Sequence, residues 1–262
     1  MISIAKFINR TGEKNTNNFG SKMIITEYKS SKDINVYFPE YKYTAYNVQY
    51  GQFKDGRLSC PFEKRTYSVG YIGVGPHKTK ENGKKTKEYE IWNHMLQRCY
   101  DEKHYIKQPT YIGCTVCDEW LCFQNFAEWY KNNYYEIPGQ RMAIDKDILI
   151  KGNKVYSPDT CVIVPQCINS LFLKHEATRG EYPIGIYKNS KNRLVVQCNI
   201  YENKKIKRKY LGSFGQDQLS EAFYLYKTTK EANIKIIADE YKDKIPQELY
   251  DAMYNYIVES DD

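Results

Sequence analysis

The residues whose types and spacing could do chemistry lie within residues 142–172. Asp145 and Asp147 flank Lys146 at the end of a short apolar run, and Asn169 follows later in the stretch. Carboxylate and amide oxygens bind divalent cations such as Mg²⁺. Neighbouring carboxylates repel each other unless a cation, either a metal ion or a lysine, lies between them. Whether the stretch forms a metal site therefore depends on whether these four side chains meet.

The same stretch predicts the elements that must position these residues. A short apolar run ends at Asp145, and turn residues such as Gly152 and Pro158 follow. A β-branched run at residues 161–164 then leads to a segment that ends at Asn169. This order predicts a strand, a turn, a second strand and the start of a helix.

Cysteines form a second set of candidate metal ligands. Cys114 and Cys117 have the C-x-x-C spacing of half a zinc site, with Cys99 and Cys161 among the candidate partners. The second half is not a C-x-x-C, so burial of the thiols as small apolar side chains is the favoured interpretation. Structural Zn²⁺ is therefore not favoured as a cofactor.

The composition fits a protein of several modules that contacts a polyanion. The chain has 262 residues, a formal net charge of +7 and 26 tyrosines. Lysines interleaved with aromatic rings suit phosphate pairing and base stacking, although an AT-rich genome would also enrich Lys, Asn, Ile and Tyr. There is no secretory signal and no apolar window of the ~20 residues that a membrane span needs. We therefore expect a cytoplasmic protein whose eight cysteines are reduced thiols.

The N-terminal part alternates short β-rich runs with turns. Runs at residues 23–25, 34–38 and 67–74 predict a small barrel-like β-module. The glycines in the last run superficially resemble a phosphate-binding loop. Such a loop needs a helix directly after it, whereas residues 76–87 form a polar, basic linker. Turns at strand ends are therefore favoured over a nucleotide site.

Two helices are predicted between residues 88 and 135. Each has apolar residues at the spacing of one helix face, and such stripes are most simply core. The two stripes consist of Trp92, Met95, Leu96 and Cys99, and of Phe123, Phe126, Ala127 and Tyr130.

The C-terminal part predicts three strands and a long helix. The strands are expected at residues 184–187, 194–200 and 207–214, with a helix at about 219–241 and a last short helix after Pro246. A sheet on one helix leaves its other face free, and such a ribbon fits a DNA major groove. Basic residues cluster in the strands and turns: Lys188, Lys191, Arg193, Lys204, Lys205, Lys207, Arg208 and Lys209.

Two parts of the sequence resemble known protein families. Residues 92–169 resemble the HNH homing endonucleases of bacteriophages. The motifs, in order, are W-x-x-M-L-x-R-C-Y, V-C-x-E-W-x-x-F-x-N-F, D-K-D-I-L-x-x-G-N-K-x-Y-S-P-x-T-C and V-P-x-x-I-N. Residues 185–256 resemble the APETALA2-type DNA-binding module through G-I-Y, Y-L-G-S-F and E-A-F-Y-L-Y-K.

The resemblance implies a fold class and a domain division. The chain is then α+β and multidomain. Residues 1–87 form the N-terminal β-rich module and basic linker. Residues 88–178 form a ββα-metal (HNH-like) domain with flanking helices. Residues 179–262 form an APETALA2-like three-stranded sheet packed on a helix.

The resemblance also implies a mechanism with one departure. Asp145 would be the metal carboxylate and Asn169 the ligand on the helix, for Mg²⁺ or Mn²⁺, and Lys146 occupies the position of the histidine base. Lysine has an ordinary pKa near 10.4, and flanking carboxylates raise it further. Lys146 could instead hold the phosphate, leaving the proton to Asp147 or to a metal-bound water. His175 could also fold back towards the hairpin.

Two functions remain open. The chain is either an endonuclease that hydrolyses double-stranded DNA or a catalytically degenerate binder. As a binder, it would act as a phage regulator or counter-defence protein, on nucleic acid or on a host protein. Lys146 and Lys154 would then be phosphate contacts. The host cytoplasm is the expected location of a phage-encoded protein of either kind.

Overall fold

The computed structural model describes residues 8–172, 181–202 and 205–260. These residues form eight α-helices and several small sheets, so the predicted α+β class is confirmed. The chain divides into two compact units, Met1–Lys131 and Asn132–Asp262. The domain division at residues 87 and 178 stays a prediction. No helix in the described ranges is long and apolar enough to cross a membrane.

The first unit begins with four antiparallel strands that pair in chain order. They are β1 (Lys14–Thr16), β2 (Lys22–Ser30), β3 (Asp33–Phe38) and β4 (Tyr43–Val48). Alternate residues of β3 are buried, as its period of two predicts. The described strands form an open sheet rather than the predicted barrel-like module, because β1 pairs with β2, β4 pairs with β3, and the two edges do not pair.

Helices dominate the rest of the first unit. Its elements are α1 (Tyr50–Lys54), β5 (Lys80–Glu81), β6 (Lys84–Lys85), α2 (Lys87–Tyr100), α3 (Glu102–Lys107), β7 (Thr115–Val116), α4 (Asp118–Leu121) and α5 (Phe123–Asn133), with 3-10 helices at Pro39–Tyr41 and Pro109–Tyr111. The four apolar residues predicted on one face of α2 are all buried, and so are the four on α5. Both predicted helices are therefore confirmed.

The strand predicted at residues 67–74 is wrong. Only isolated bridges occur in this segment. A Cβ on Gly70 would lie 2.3 Å from Leu96 of α2, and one on Gly75 would lie 2.4 Å from the Gln124 side chain of α5. These glycines let the backbone approach two helices closely, so tertiary packing determines their positions.

The second unit begins with the predicted order of strand, turn, strand and helix. β8 (Met142–Asp145) pairs antiparallel with β10 (Val162–Pro165), and α6 (Gln166–Asn169) follows directly. The short β9 (Val155–Tyr156) lies in the connection between β8 and β10. Val162, Val164 and Ile168 are buried in a core that they share with the C-terminal helices.

A three-stranded antiparallel sheet and a long helix follow. In spatial order the strands are β11 (Ile186–Lys188), β12 (Leu194–Glu202) and β13 (Lys205–Phe214), and the helices are α7 (Leu219–Tyr241) and α8 (Gln247–Tyr254). Ile186, Leu194 and Val196 on one face of the sheet pack in a core with Ala222 and Tyr226 of α7. α7 spans the residues predicted for it.

Gly185 is the position in this sheet where substitution should cost most. It has φ +77°, and a Cβ there would lie 2.1 Å from the Tyr226 ring and 2.9 Å from the Gln197 carbonyl. We expect Gly185→Ala to lower the free energy of unfolding by about 2–5 kcal/mol, from left-handed strain plus overpacking. Denaturant titration measures this loss.

Gly152→Ala is the matched control for that experiment. Gly152 has φ +78°, but a Cβ there would meet nothing within 4 Å. Its loss should be limited to the left-handed strain of about 1–2 kcal/mol. Equal losses of unfolding free energy in the two variants would show that the close contact with Tyr226 adds no destabilisation.

Candidate metal and nucleic-acid sites

Asp145 is the carboxylate at the end of β8. Its Oδ1 accepts hydrogen bonds from the backbone N–H groups of Asp147 and Ile148, both at 2.8 Å. Burial of the half-buried side chain, followed by repulsion from the Asp147 carboxylate, raises the pKa of Asp145 to about 6. Both backbone donors bind Oδ1, so Oδ2 is the oxygen left for a cation.

Lys146 is buried and already engaged. Its Nζ donates to Asp147 Oδ2 at 3.0 Å and to the Asn153 carbonyl at 2.9 Å. It also lies 5.9 Å from the centroid of the Tyr156 ring. The side chain is 10% exposed, whereas that of Asp147 is 40% exposed. Lys146 therefore acts as an internal cation that ties the start of the turn to its end.

Asn153, one of the residues that the sequence predicts in this turn, closes it through side-chain hydrogen bonds that the sequence did not predict. Its side-chain amide donates to the carbonyls of Lys146 at 2.6 Å and Val155 at 2.7 Å. Its Oδ1 accepts from the Val155 N–H at 3.1 Å. The signal in the sequence is the Gly152-Asn153 pair, because Asn side chains often replace backbone partners in turns.

Loss of the Lys146 ammonium should destabilise this turn. Lys146→Met keeps most of the side-chain volume but removes the donor for the Asn153 carbonyl and the cation beside Asp147. We expect a loss of about 1–3 kcal/mol in unfolding free energy, measured by denaturant titration. Exposed Lys154→Met is the control and should change stability by no more than about 0.5 kcal/mol. Equal stability of the two variants would contradict an internal structural role for Lys146.

Asn169 is the last residue of α6 and is half-buried. Asp145 pairs with Val162 at one end of the β8–β10 ladder, and α6 follows Pro165 at the other end. Within the described ranges, no hydrogen bond joins the Asn169 side chain to the acidic pair. The structure thus brings Asp145, Lys146 and Asp147 together, whereas α6, which ends at Asn169, begins at the opposite end of the ladder.

The acidic pair fits a hard cation in part. Asp145 Oδ2 and the exposed edge of Asp147 offer carboxylate oxygens, but Lys146 already neutralises Asp147. Among the described residues, no three His, Cys, Asp or Glu side chains gather around one point. A Mg²⁺ or Mn²⁺ ion held by one or two carboxylates keeps several water ligands.

The cysteine candidates are mainly buried thiols. Cys99, Cys114 and Cys161 are buried, and Cys117 is half-buried. Burial raises the pKa of Cys117, and raises that of Cys161 to about 12. A zinc ligand must be a thiolate, so these surroundings oppose metal binding by the two residues.

The C-terminal sheet presents a polar, aromatic face. Asn199 pairs with Arg208 and Gln197 with Tyr210 across β12 and β13, so each pair shares a side of the sheet. Val196 and the other residues that pack towards α7 alternate with them. We name six residues on this side the outer face: Tyr187, Arg193, Gln197, Asn199, Arg208 and Tyr210.

Two outer-face side chains are fixed by hydrogen bonds. The Arg193 guanidinium donates to Ser213 Oγ at 3.0 Å and to the Ser213 carbonyl at 2.8 Å. Gln197 Nε2 donates to the Tyr187 hydroxyl at 3.3 Å. Tyr210 is 59% exposed. The uncharged members of this face were not anticipated from the sequence, although the alternation along β12 carries the signal.

The basic residues predicted to bind nucleic acid divide between the two sides of the sheet. Lys209 pairs with Cys198 and Lys207 with Ile200, so both lie on the side opposite Arg208. Lys207 is 3.8 Å from Glu202. Of the other predicted positions, Lys154, Lys188 and Lys191 are exposed, and Lys205 is the first residue of β13. Lys204 and His175 lie outside the described residues.

The histidines of the described ranges lie outside the hairpin segment of the chain. His77, His94 and His104 belong to the first unit, whereas the hairpin belongs to the second. Neither a family model, nor a curated protein, nor a solved structure matches this chain.

Proposed function

We propose that this chain binds duplex DNA through the outer face of its C-terminal sheet. The observation that carries the proposal is the exposed cross-strand pair of Asn199 and Arg208, with Tyr210 beside it. Arginine pairs with guanine and asparagine with adenine in the major groove, which is wide enough for a β-ribbon. These side chains would contact base edges.

The turn between β11 and β12 would contact phosphates. Lys188, Lys191 and Arg193 are exposed there. The Asn189 side chain holds the turn by accepting from the N–H groups of Lys191 and Arg193, at 3.0 and 3.1 Å. On this proposal the sheet and α7 form an APETALA2-like module, and the segment from β8 to α6 forms an HNH-like one.

The salt dependence of binding tests this proposal. With about three phosphate contacts, from Lys188, Lys191 and Arg193, we expect a log–log salt slope near −2.7. Affinity for a mixed-sequence duplex should then fall about 40-fold between 50 and 200 mM salt. Fluorescence anisotropy of a labelled duplex measures it. Binding that does not change with salt would contradict the proposal.

A second candidate function is metal-dependent hydrolysis of the DNA backbone at the hairpin. The two neighbouring carboxylates at the end of β8 favour it, because Asp147 repels Asp145 and a cation bound to both would relieve that repulsion. Asp145 Oδ2 and Asp147 would hold Mg²⁺ or Mn²⁺, with Asn169 as the further ligand. Bound there, the ion would lower the pKa of a water ligand and neutralise charge developing on the phosphate.

The engaged state of Lys146 favours the alternative of a binder without catalysis. Nζ donates to Asp147 and Asn153, so the hairpin has a structural cation where a nuclease would need a base. A phage-encoded regulator or counter-defence protein of this kind would meet its DNA, or a host protein, in the host cytoplasm. DNA binding without metal-dependent cleavage would support this alternative.

A further inference from the structure

A large cavity in the first unit has no role in the functions proposed above. Its volume is about 1100 Å³, and residues between Phe19 and Asn93 line it. Cavities that bind small molecules are typically lined by aromatic rings with a few well-placed polar groups. Its aromatic lining consists of Phe19, Tyr41, Tyr43, Tyr67, Tyr71 and Tyr89.

Glu63 supplies the polar group of this cavity. The residue lines the cavity and is only 4% exposed. Its Oε1 accepts a hydrogen bond from the Asn17 side-chain amide. Its Oε2 is buried and has no hydrogen-bond partner in the described part of the chain. Because a buried oxygen without a donor destabilises the protein, Glu63 is poised to accept an N–H group from a ligand.

The wall of the cavity also contains strained backbone. Tyr67 and Ser68 have φ values of 51° and 63°, in the left-handed region that non-glycine residues rarely adopt. Such strain persists where the surrounding structure imposes it, and it concentrates at binding sites. Here the strained turn contributes the Tyr67 ring to the cavity lining.

The charge around the cavity indicates what kind of ligand enters it. Lys64 and Arg65 line it, and the Arg65 guanidinium lies 3.6 Å from the centroid of the Phe19 ring. The β5–β6 hairpin connects two residues that line the cavity, Thr79 and Tyr89. The exposed lysines of the hairpin and of the residues beside it are Lys78, Lys80, Lys84, Lys85 and Lys87. This rim attracts a polyanion and repels a cationic peptide.

We propose that the cavity binds one unstacked base of a nucleic-acid strand. The base stacks on the tyrosine rings, and its exocyclic amino group donates a hydrogen bond to Glu63 Oε2. Lysines of the β5–β6 hairpin contact the adjoining phosphates. Adenine, cytosine and guanine carry such an amino group. Thymine and uracil do not. Their one ring donor, N3–H, lies between two carbonyl oxygens that a carboxylate repels, so the site discriminates against them. This site goes beyond duplex binding by the C-terminal sheet, because it lies in the other unit.

Matched single strands test the base preference. Fluorescein-labelled dC12 and dU12 differ at the 4-position, where cytosine has an amino group and uracil a carbonyl, and at N3, which accepts in cytosine and donates in uracil. We expect the full chain to bind dC12 about 10-fold or more tightly than dU12, as for a hydrogen bond to a charged group. Equal affinities would overturn the proposal.

Two variants separate recognition from folding. Glu63→Gln can still accept from Asn17 but also offers a donor to the uracil carbonyl. We expect it to reduce the preference to about threefold or less. Tyr67→Gly relieves the positive φ and should weaken both strands while the protein stays folded. Glu90→Gln, an exposed α2 residue that does not line the cavity, is the control and should bind as the wild type does.

Thermal unfolding provides a readout that a merely structural carboxylate would not give. Glu63→Gln removes a buried charge but keeps the hydrogen bond from Asn17, so the Tm of this variant should be unchanged or higher. A lower Tm with an unchanged preference for dC12 would overturn the proposal. Displacement of dC12 by a trimethyl-lysine peptide, but not by dCMP, would instead identify a cage for quaternary cations.

Two variants distinguish failure of the base-binding proposal from failure of the proposed duplex binding. Arg208→Ala should lose duplex affinity and keep the preference for dC12, because Arg208 belongs to the other unit. Glu63→Gln should do the reverse. Loss of both properties in either variant would overturn the assignment of two separate sites.

Discussion

Arg208→Ala is expected to weaken binding to duplex DNA by about 10- to 100-fold, corresponding to the 1–3 kcal/mol of a base-reading arginine. Arg208 is exposed on β13 and lies opposite Asn199 on the same side of the sheet. The loss should exceed that of a phosphate contact, because alanine leaves the base edge without its donors. Anisotropy titration measures it, with a duplex selected by the wild-type chain from a random-sequence library.

Lys209→Ala is the matched control for Arg208. It removes an adjacent exposed cation from the same strand, but Lys209 pairs with Cys198 and lies on the opposite side. We expect a change in affinity of about threefold or less, since only the long-range field is altered. A larger loss for Lys209→Ala than for Arg208→Ala would place the DNA on the wrong side for this proposal.

Asp145→Asn is expected to lower metal-dependent DNA cleavage by at least about 10²-fold. This loss is larger than the loss expected when a residue that only orients a metal ligand is changed. Asparagine keeps an Oδ1 that can accept from Asp147 and Ile148, so the turn should survive. The measurement is nicking of a supercoiled plasmid that carries the selected site, with Mg²⁺ or Mn²⁺. Asn169→Ala tests the further ligand in the same assay.

The two outcomes of that assay separate the two functions. Unchanged cleavage by Asp145→Asn would remove the hairpin from catalysis. A wild-type chain that binds the site with normal salt dependence but never nicks it would be the non-catalytic binder. Binding to a host protein with no affinity for DNA would contradict both the endonuclease and the DNA-binding form of the alternative.

The raised pKa of Asp145 gives the same variant a stability signature. The pKa of Asp145 is about 6 in the folded state and near 3.8 in the unfolded state, so the folded state binds the proton more tightly. The stability that proton binding contributes is therefore fully present below pH 3.8 and is lost as pH rises through about 6. At pH 7.5 without metal, we expect Asp145→Asn to unfold with about 1–3 kcal/mol more free energy than the wild type.

Thermal melts across pH, with and without Mn²⁺, check this expectation. The advantage of Asp145→Asn should shrink as pH falls from 7.5 to 5, because the wild-type carboxyl becomes protonated. Mn²⁺ should raise the Tm of the wild type more than that of the variant, since a ligand stabilises only the state that binds it. An advantage that does not depend on pH would contradict the shifted pKa.

The local spacing of apolar and turn residues was sufficient to predict the main helices and strands. The apolar stripes that predict α2 and α5 are buried as expected, because a helix face is encoded by residues three and four apart. The order of β8, β10 and α6 followed from a strand pattern interrupted by turn residues. α7 was predicted at its observed position for the same reason.

The sequence by itself therefore determined the α+β class, the position of most helices and strands, and the acidic pair at the end of β8. Only the tertiary structure decided what those residues contact. It turned residues 67–74 into a close-packed segment instead of a strand, since Gly70 and Gly75 lie against α2 and α5. It buried Lys146 against Asp147 and Asn153. The strand register separated Arg208 from Lys207 and Lys209. Contacts between residues distant in the chain depend on packing and register, which the spacing of residue types does not specify.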